Sequence, residues 1–314
     1  VNARHLHEKT MSKNSVKIIL IVTDTKRKSL VFVDENLRVY SLQEAIKSTQ
    51  NGLLKNVYTV NRSGNFYLRS TPSSPKEGKL DRISISSHQL FYSLDDIGKI
   101  LSIPAFKNYW QKYQQNLLQE QQEKIDAYII IDGSPRVVKT TAKFRLTANK
   151  DIIFAAAEKF DVDSYLLAAI IIDEIASLSP FEEIADLLAG SFVGKNTSGG
   201  IAQVKTDTAR GLMLIGCYNP DPNKFSSKEK IKKASRQQIY SYVKESKHSI
   251  FFGAARIRYF IDRWKKFIDL SKRPEIIATL YSPSRDDPKN NPQPNLRGLQ
   301  IANEFYKLAQ DWLK

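Results

Sequence analysis

Residues 164 to 178, Ser-Tyr-Leu-Leu-Ala-Ala-Ile-Ile-Ile-Asp-Glu-Ile-Ala-Ser-Leu, constrain the fold more than any other stretch. Read as a helix, the run is apolar on every side except for two adjacent carboxylates, Asp173 and Glu174. A helix hydrophobic all round has no face to give to water, so it belongs in the core of its domain. A carboxylate near the end of such a helix is costly to ionise, and its pKa is expected to rise. A glutamate held protonated near neutral pH is what a general acid requires. Adjacent helical residues point about 100° apart, so the two carboxylates cannot occupy one cleft equally.

A short helix at about 180–188 separates this element from Ser-Gly-Gly-Ile-Ala-Gln-Val, residues 198 to 204. Glycines there let backbone approach a ligand closely, and the one polar side chain is the amide of Gln203. Further on come Thr208-Ala209, Gly253 within a long helical pattern, and Tyr281-Ser282 at the end of a short one.

In that order, the set resembles the lytic transglycosylase and goose-type lysozyme group, which cleaves bacterial peptidoglycan. The match spans roughly residues 147 to 314. The resemblance implies a lysozyme-like helical domain in which Glu174 protonates the glycosidic oxygen between N-acetylmuramic acid and N-acetylglucosamine. The sugar's acetamide then stabilises the anomeric carbon, and Glu174 takes the proton of the muramic 6-hydroxyl to leave a 1,6-anhydro end. Gly199, Gly200, Ile201 and Gln203 would line the sugar site with Tyr281 and Ser282, and Tyr281 would orient Glu174. No cofactor and no metal are implied. The chain departs from the group's pattern at Ile175, Ala202 and Ser282, which stand where serine, methionine and asparagine are usual. Two variants stay open: a hydrolytic muramidase on the same fold, and an inactive wall-binding protein of a phage or injection particle.

Composition narrows the remaining classes. The chain has 314 residues, room for about two domains. A single cysteine, Cys217, excludes an internal disulfide framework, and no Cys/His cluster has metal spacing. No apolar run reaches the ~18 residues of a membrane span, and none near the N-terminus has the length of a signal-peptide core. A wall enzyme made in the cytoplasm would therefore reach its substrate by lysis, a holin or an injection apparatus. Net charge is +15 overall; residues 151–314 hold 24 basic and 20 acidic residues, so residues 1–150 carry +11. That basic half suits anionic wall polymers, and nucleic acid as a less favoured partner. Lys224 to Lys247 adds eight basic residues against two acidic, without a recognised nucleic-acid motif. Cys217 and His248 raise the thought of a thiol nucleophile, but a lone cysteine in an apolar context reads as a core residue.

The expected organisation is α+β. Residues 1–15 are set apart as a leader. Residues 16–90 form a small β-β-α-β-β module: a strand at 16–23, a hairpin of 30–33 and 37–40, a helix opened by the Ser41–Glu44 capping box, and a hairpin of 56–60 and 66–69. Tyr40-Ser41-Leu42, Glu44-Ala45, Asn51-Gly52, Arg62-Ser63-Gly64 and Tyr67-Leu68-Arg69-Ser70 resemble a small bacterial domain family of unassigned function. Tyr58, Arg62, Phe66, Tyr67 and Arg69 interleave rings and cations, a pattern that fits either a binding surface or plain strand alternation. A helical and β connector over 91–146 follows: a helix capped at Ser93–Asp96 and interrupted at Pro104, a long helix over 105–124, and strands at 126–131 and 137–146. The helical domain then covers 147–314. It includes a helix capped by Thr206, a basic helix beginning near Ser226, a long helix over 249–270, and a final one over 299–313.

Overall fold

The computed structural model describes residues 15–93, 101–120, 125–178, 181, 184–185, 188, 198–281, 288–289 and 291–314. It is a mixed α/β chain, a small sheet region followed by a mostly helical part. By contact it divides into Val1–Ile125 with Pro180–Ser191, and Asp126–Ser179 with Phe192–Lys314.

In the first unit, β1 (Ile18–Thr23), β2 (Ser29–Asp34) and β3 (Val39–Ser41) form an antiparallel meander. Three strands thus precede the helix. A further strand, β6 (Ser84–Ser86), pairs parallel to β1, giving the order β3-β2-β1-β6. At three residues, β6 is too short to announce itself by alternation. Asp34 sets the β2–β3 turn by accepting from the amides of Asn36 and Arg38 and from the Tyr40 hydroxyl at 2.8 Å. The Ser41–Glu44 capping box opens α1 (Leu42–Gln50), and Asn51 caps its end. β4 (Val57–Arg62) and β5 (Asn65–Ser70) pair as a separate hairpin.

The helix α2 (Ser87–Ser93) is opened by Ser86 and Gln89, which exchange side-chain and backbone bonds at 3.0 and 3.1 Å. Ser93, expected to begin a helix, is already helical as the last described residue of α2; residues 94–96 of that suggested cap lie outside the described residues. Pro104 opens α3 (Pro104–Glu120), as its preset φ and missing N–H allow; most of the preceding helix that it was expected to interrupt lies outside the described residues. Phe106, Tyr109 and Trp110 of α3 are buried and gather around Phe181, with Phe106 stacked on it at 5.4 Å. These aromatics are packing contacts.

The second unit starts with a hairpin of β7 (Tyr128–Ile131) and β8 (Ser134–Val138) that pairs with no other strand among the described residues. Residues 137–146 do not form one strand: from Lys139 the chain is helical, α4 (Lys139–Thr147). Ala142 and Leu146, four residues apart, are its buried positions, whereas Phe144, which strand alternation would turn inward, is 74% exposed. The division by contact thus falls at 125/126 rather than at 146/147. Then come α5 (Lys150–Phe160) and α6 (Ser164–Leu178), joined by a turn in which Asp161 is left-handed. Asp163 caps α6 by accepting from the amides of Tyr165 and Leu166.

Helix α6 is the core element that its composition demands. Every residue from Leu166 to Asp173 is buried, and so are Ile175 and Ala176. Around it stand α4, α5, α10 (Ser246–Trp264), α11 (Pro274–Tyr281) and α13 (Tyr306–Trp312). Before α10 come the two-residue strands β9 (Ser198–Gly199) and β10 (Val204–Lys205), then α7 (Thr206–Leu214), α8 (Lys228–Lys233) and α9 (Arg236–Val243). Thr206 is the first residue of α7 rather than its cap. The basic stretch is two helices, because Ser235 breaks it with a capping box of its own. Helix α10 ends at Trp264; Phe267, expected to face inward, is 46% exposed beyond that end. The final helical run is α12 (Leu296–Gln300), a π turn at Ile301–Phe305 and α13. The helix expected at 180–188 is described only at Phe181, Ile184, Ala185 and Leu188. Among the described residues no helix is long and apolar enough to cross a membrane.

Candidate active site

Asp173 and Glu174 leave the end of α6 in different directions, as their helical offset requires. Asp173 is buried, and its Oδ1 lies 2.5 Å from Nε of Arg297 on α12. The same guanidinium donates to Ser177 Oγ at 2.8 Å. Burial and the nearby Asp132 raise the Asp173 pKa to about 6, against the opposing pull of Arg297 and Arg136. Asp173 is thereby committed to joining α6 to α12.

Glu174 is only half-buried. Its charge reaches Tyr281, the last residue of α11: burial pushes the Tyr281 hydroxyl upward, Glu174 pushes it further, and Arg256 opposes both. The Tyr281 hydroxyl donates to the carbonyl of Ala202 at 3.0 Å. Arg256 of α10 sits over the Tyr281 ring, 4.6 Å from its centroid. Gly253, three residues before Arg256, makes room for this arrangement. A Cβ there would stand 2.9 Å from the Tyr281 oxygen and 3.3 Å from the Ala202 Cβ.

The 198–205 segment is a tight hairpin in which Val204 pairs with Gly199 and Lys205 with Ser198. Gly200 takes φ +64°, and a Cβ on it would fall 2.4 Å from the Val243 carbonyl and 2.5 Å from Ser249 Oγ, so only glycine fits. Ser249, fully buried on α10, accepts from the Ala202 amide at 3.0 Å and donates to the Gly199 carbonyl at 3.2 Å. Gly199 in turn lies against the Tyr240 ring of α9. Thus α9, α10 and α11 all fix this one loop.

Of the residues singled out by sequence, Glu174 and Tyr281 share one electrostatic neighbourhood, and Tyr281 is bonded to the loop that carries Gly199, Gly200, Ile201 and Gln203. Gln203 itself turns back: its Nε2 donates to the Gly200 carbonyl at 2.8 Å, with φ +44° at its own backbone. Its amide nitrogen therefore braces the loop. Ser282 lies outside the described residues. Thr208 and Ala209 stand on α7, Ala209 buried. Sequence reading passed over Ser249, Arg256 and Arg297. A serine buried in Ser-Ile-Phe-Phe-Gly was the available signal for the first; the two arginines look like any surface cation until their partners are known.

No family model matches the chain, and no curated protein matches it. The site therefore stands on its own geometry.

The other candidates resolve differently. His248 Nδ1 is bonded to the Tyr218 hydroxyl at 2.7 Å, and burial pushes the Cys217 thiol upward. A nucleophilic thiol needs the opposite shift. In the basic stretch, Arg236 makes a two-pronged pair with Asp207, while Arg210 holds the carbonyls at the end of α8. No group of three or more potential metal ligands gathers among the described residues.

Proposed function

We propose that the chain cleaves peptidoglycan glycan strands, acting on the β-1,4 bond between N-acetylmuramic acid and N-acetylglucosamine as a lytic transglycosylase with a lysozyme-like helical domain. The observation that carries this reading is the Tyr281 hydroxyl, bonded to the Ala202 carbonyl and lying in the field of Glu174. It ties a half-buried carboxyl at the end of a core helix to a glycine-rich loop.

Glycoside cleavage needs a proton for the leaving oxygen and stabilisation of an oxocarbenium-like carbon. Asp173 is occupied by Arg297, which leaves Glu174 as the other carboxyl near this helix end, and a one-carboxyl mechanism fits that arrangement. In that mechanism Glu174 donates its proton to the glycosidic oxygen as the C1–O bond breaks. The substrate's acetamide oxygen closes on C1. Glu174, now a carboxylate, removes the proton of the muramic 6-hydroxyl, whose oxygen displaces the acetamide to form the 1,6-anhydro ring. The Gly199–Val204 loop lines the sugar site, and Tyr281 orients Glu174.

The test is release of soluble fragments from purified sacculi, with the products analysed for 1,6-anhydro ends. Reducing ends without the anhydro ring would assign a hydrolytic muramidase instead. One observation favours a second reading, wall binding without cleavage: the Gln203 amide nitrogen is spent on Gly200. Sacculi that pellet the protein yet release nothing would decide for it.

A further inference from the structure

The β4–β5 hairpin of the first unit is largely exposed, and its two faces differ. The register pairs Tyr58 with Arg69, Val60 with Tyr67 and Arg62 with Asn65, so these six side chains share one face. Along that face Arg69, Tyr67 and Arg62 follow one another at intervals of about 7 Å, cation, ring, cation. Tyr67 is 47% exposed, and Phe66, turned to the other face, is 43% exposed. Between Glu44 and Glu77 the chain has five basic residues, Lys47, Lys55, Arg62, Arg69 and Lys76, and not one carboxylate. Lys55 pairs with Glu35, whereas Arg62 and Arg69 form no ion pair among the described residues.

The platform is held stiffly. Ser63 and Gly64 both have positive φ in a two-residue turn, with the Gly64 amide bonded to Asn61 Oδ1 at 3.0 Å. At the other end the Asn56 side chain bonds both the amide and the carbonyl of Ile18, fastening the hairpin to β1. A rigid, carboxylate-free face carrying two arginines in no ion pair among the described residues, around an exposed tyrosine, is a surface for a polyanion with a flat apolar repeat.

We infer that the Tyr58–Arg62/Asn65–Arg69 face binds a phosphodiester-linked polyol or glycan polymer of the cell wall, its phosphates on Arg62 and Arg69 and its carbon skeleton on Tyr67. The choice of a wall polymer rests on the proposed function; the charge and shape of the face do not. Single-stranded nucleic acid is the poorer fit, because it is held by successive stacked rings, and this face exposes one.

Full-length protein is titrated with soluble poly(glycerol phosphate), and with an oligothymidylate of equal charge, at low and moderate salt. Phosphate contacts made by arginines release counterions, so the double variant R62Q/R69Q should bind the polymer about tenfold more weakly with a shallower salt dependence. Tyr67→Ser should weaken binding several-fold and leave the salt dependence unchanged. All these side chains are exposed, and unchanged circular dichroism confirms folding. Polymer binding by R62Q/R69Q equal to that of the unsubstituted chain overturns the inference, as does arginine-dependent capture of the oligothymidylate alone. The same variants are assayed on sacculi stripped of phosphate polymers. Undiminished cleavage there separates the hairpin from the catalytic reading, and loss of all cleavage by the unsubstituted chain would sink that reading without touching the polymer titration.

Discussion

The two sides of the end of α6 are a comparison made by the protein itself. Asp173 and Glu174 are neighbours in the chain, carry the same functional group and stand about one turn before the end of the same apolar helix. On one side, Asp173 is buried against Arg297, near Arg136 and Asp132. On the other, Glu174 is half-buried, with its charge felt at Tyr281 and, through Tyr281, a bond to the glycine loop. A buried carboxylate with an arginine of its own holds two helices together. A half-buried carboxyl whose charge is felt at a phenol bonded to a bent backbone segment is the one assigned to chemistry in the proposed function. The lesson is that residue type and burial of the helix do not assign the role; the partner supplied from a distant part of the chain does.

The sharpest way to break this comparison is to exchange the side chains. Glu174→Gln should lower sacculus cleavage by about 10²–10⁴-fold, the scale of a lost general acid, with unfolding midpoint unchanged. Asp173→Asn should do the reverse, costing stability first. If Glu174→Gln still clears sacculi and Asp173→Asn alone abolishes clearing without loss of fold, the roles are inverted.

Next in size is Arg297→Met. Removing one member of a buried ion pair strands the other charge, at about 3–5 kcal/mol. Denaturant unfolding at neutral pH should register that loss, and adding Asp173→Asn to the same chain should recover much of it. A cost near zero would mean that the pair does not fasten α12 to α6.

The pH dependence sharpens the same side. Asp173 rises from 3.8 to about 6 on folding, so the folded chain holds this proton more tightly than the unfolded one. Its stabilising contribution is complete below pH 4 and is lost as pH climbs through 6, about 3 kcal/mol over that window. The stability advantage of the unsubstituted chain over Asp173→Asn should therefore shrink by up to that amount between pH 4 and pH 7. A difference that stays level across the window would show that Arg297 compensates the burial fully.

Much of this was legible in the chain. A run with no polar face had to be the core of its unit, and α6 is. The Ser41–Glu44 box and the 56–69 hairpin followed from local rules of capping and alternation, and both are present. Where the period was short or ambiguous, reading failed. Val137 to Leu146 holds enough β-branched residues to suggest a strand, yet the Ala142–Leu146 spacing and the demand to cover α6 make a helix from Lys139. β6 exists because β1 offers it an edge, a long-range cause that three residues cannot encode. At the site, the glycines and Tyr281 were visible as types. That Gln203 would fold back on Gly200, and that Ser249 would hold the loop from beneath, depend on a hairpin only two residues deep on each strand.

The smallest expected effect tests the link between the two sides. Tyr281→Phe removes one hydroxyl and keeps the ring under Arg256. The Ala202 carbonyl then loses its donor, which should cost about 1 kcal/mol of stability. If Tyr281 merely pins the loop, cleavage by this variant should fall through KM, because the 198–205 loop loosens while Glu174 is untouched. If Tyr281 orients the acid, kcat should fall about tenfold at constant KM, and the pH at which cleavage is half-maximal should move, since the phenol is then part of the surroundings of Glu174. Gly253→Ala separates the two further. It keeps the hydroxyl but crowds it at 2.9 Å, so the hydroxyl must shift away from its place on Ala202. A variant that keeps the hydroxyl and still shows the kcat loss would fix the cause as the position of that oxygen rather than its presence.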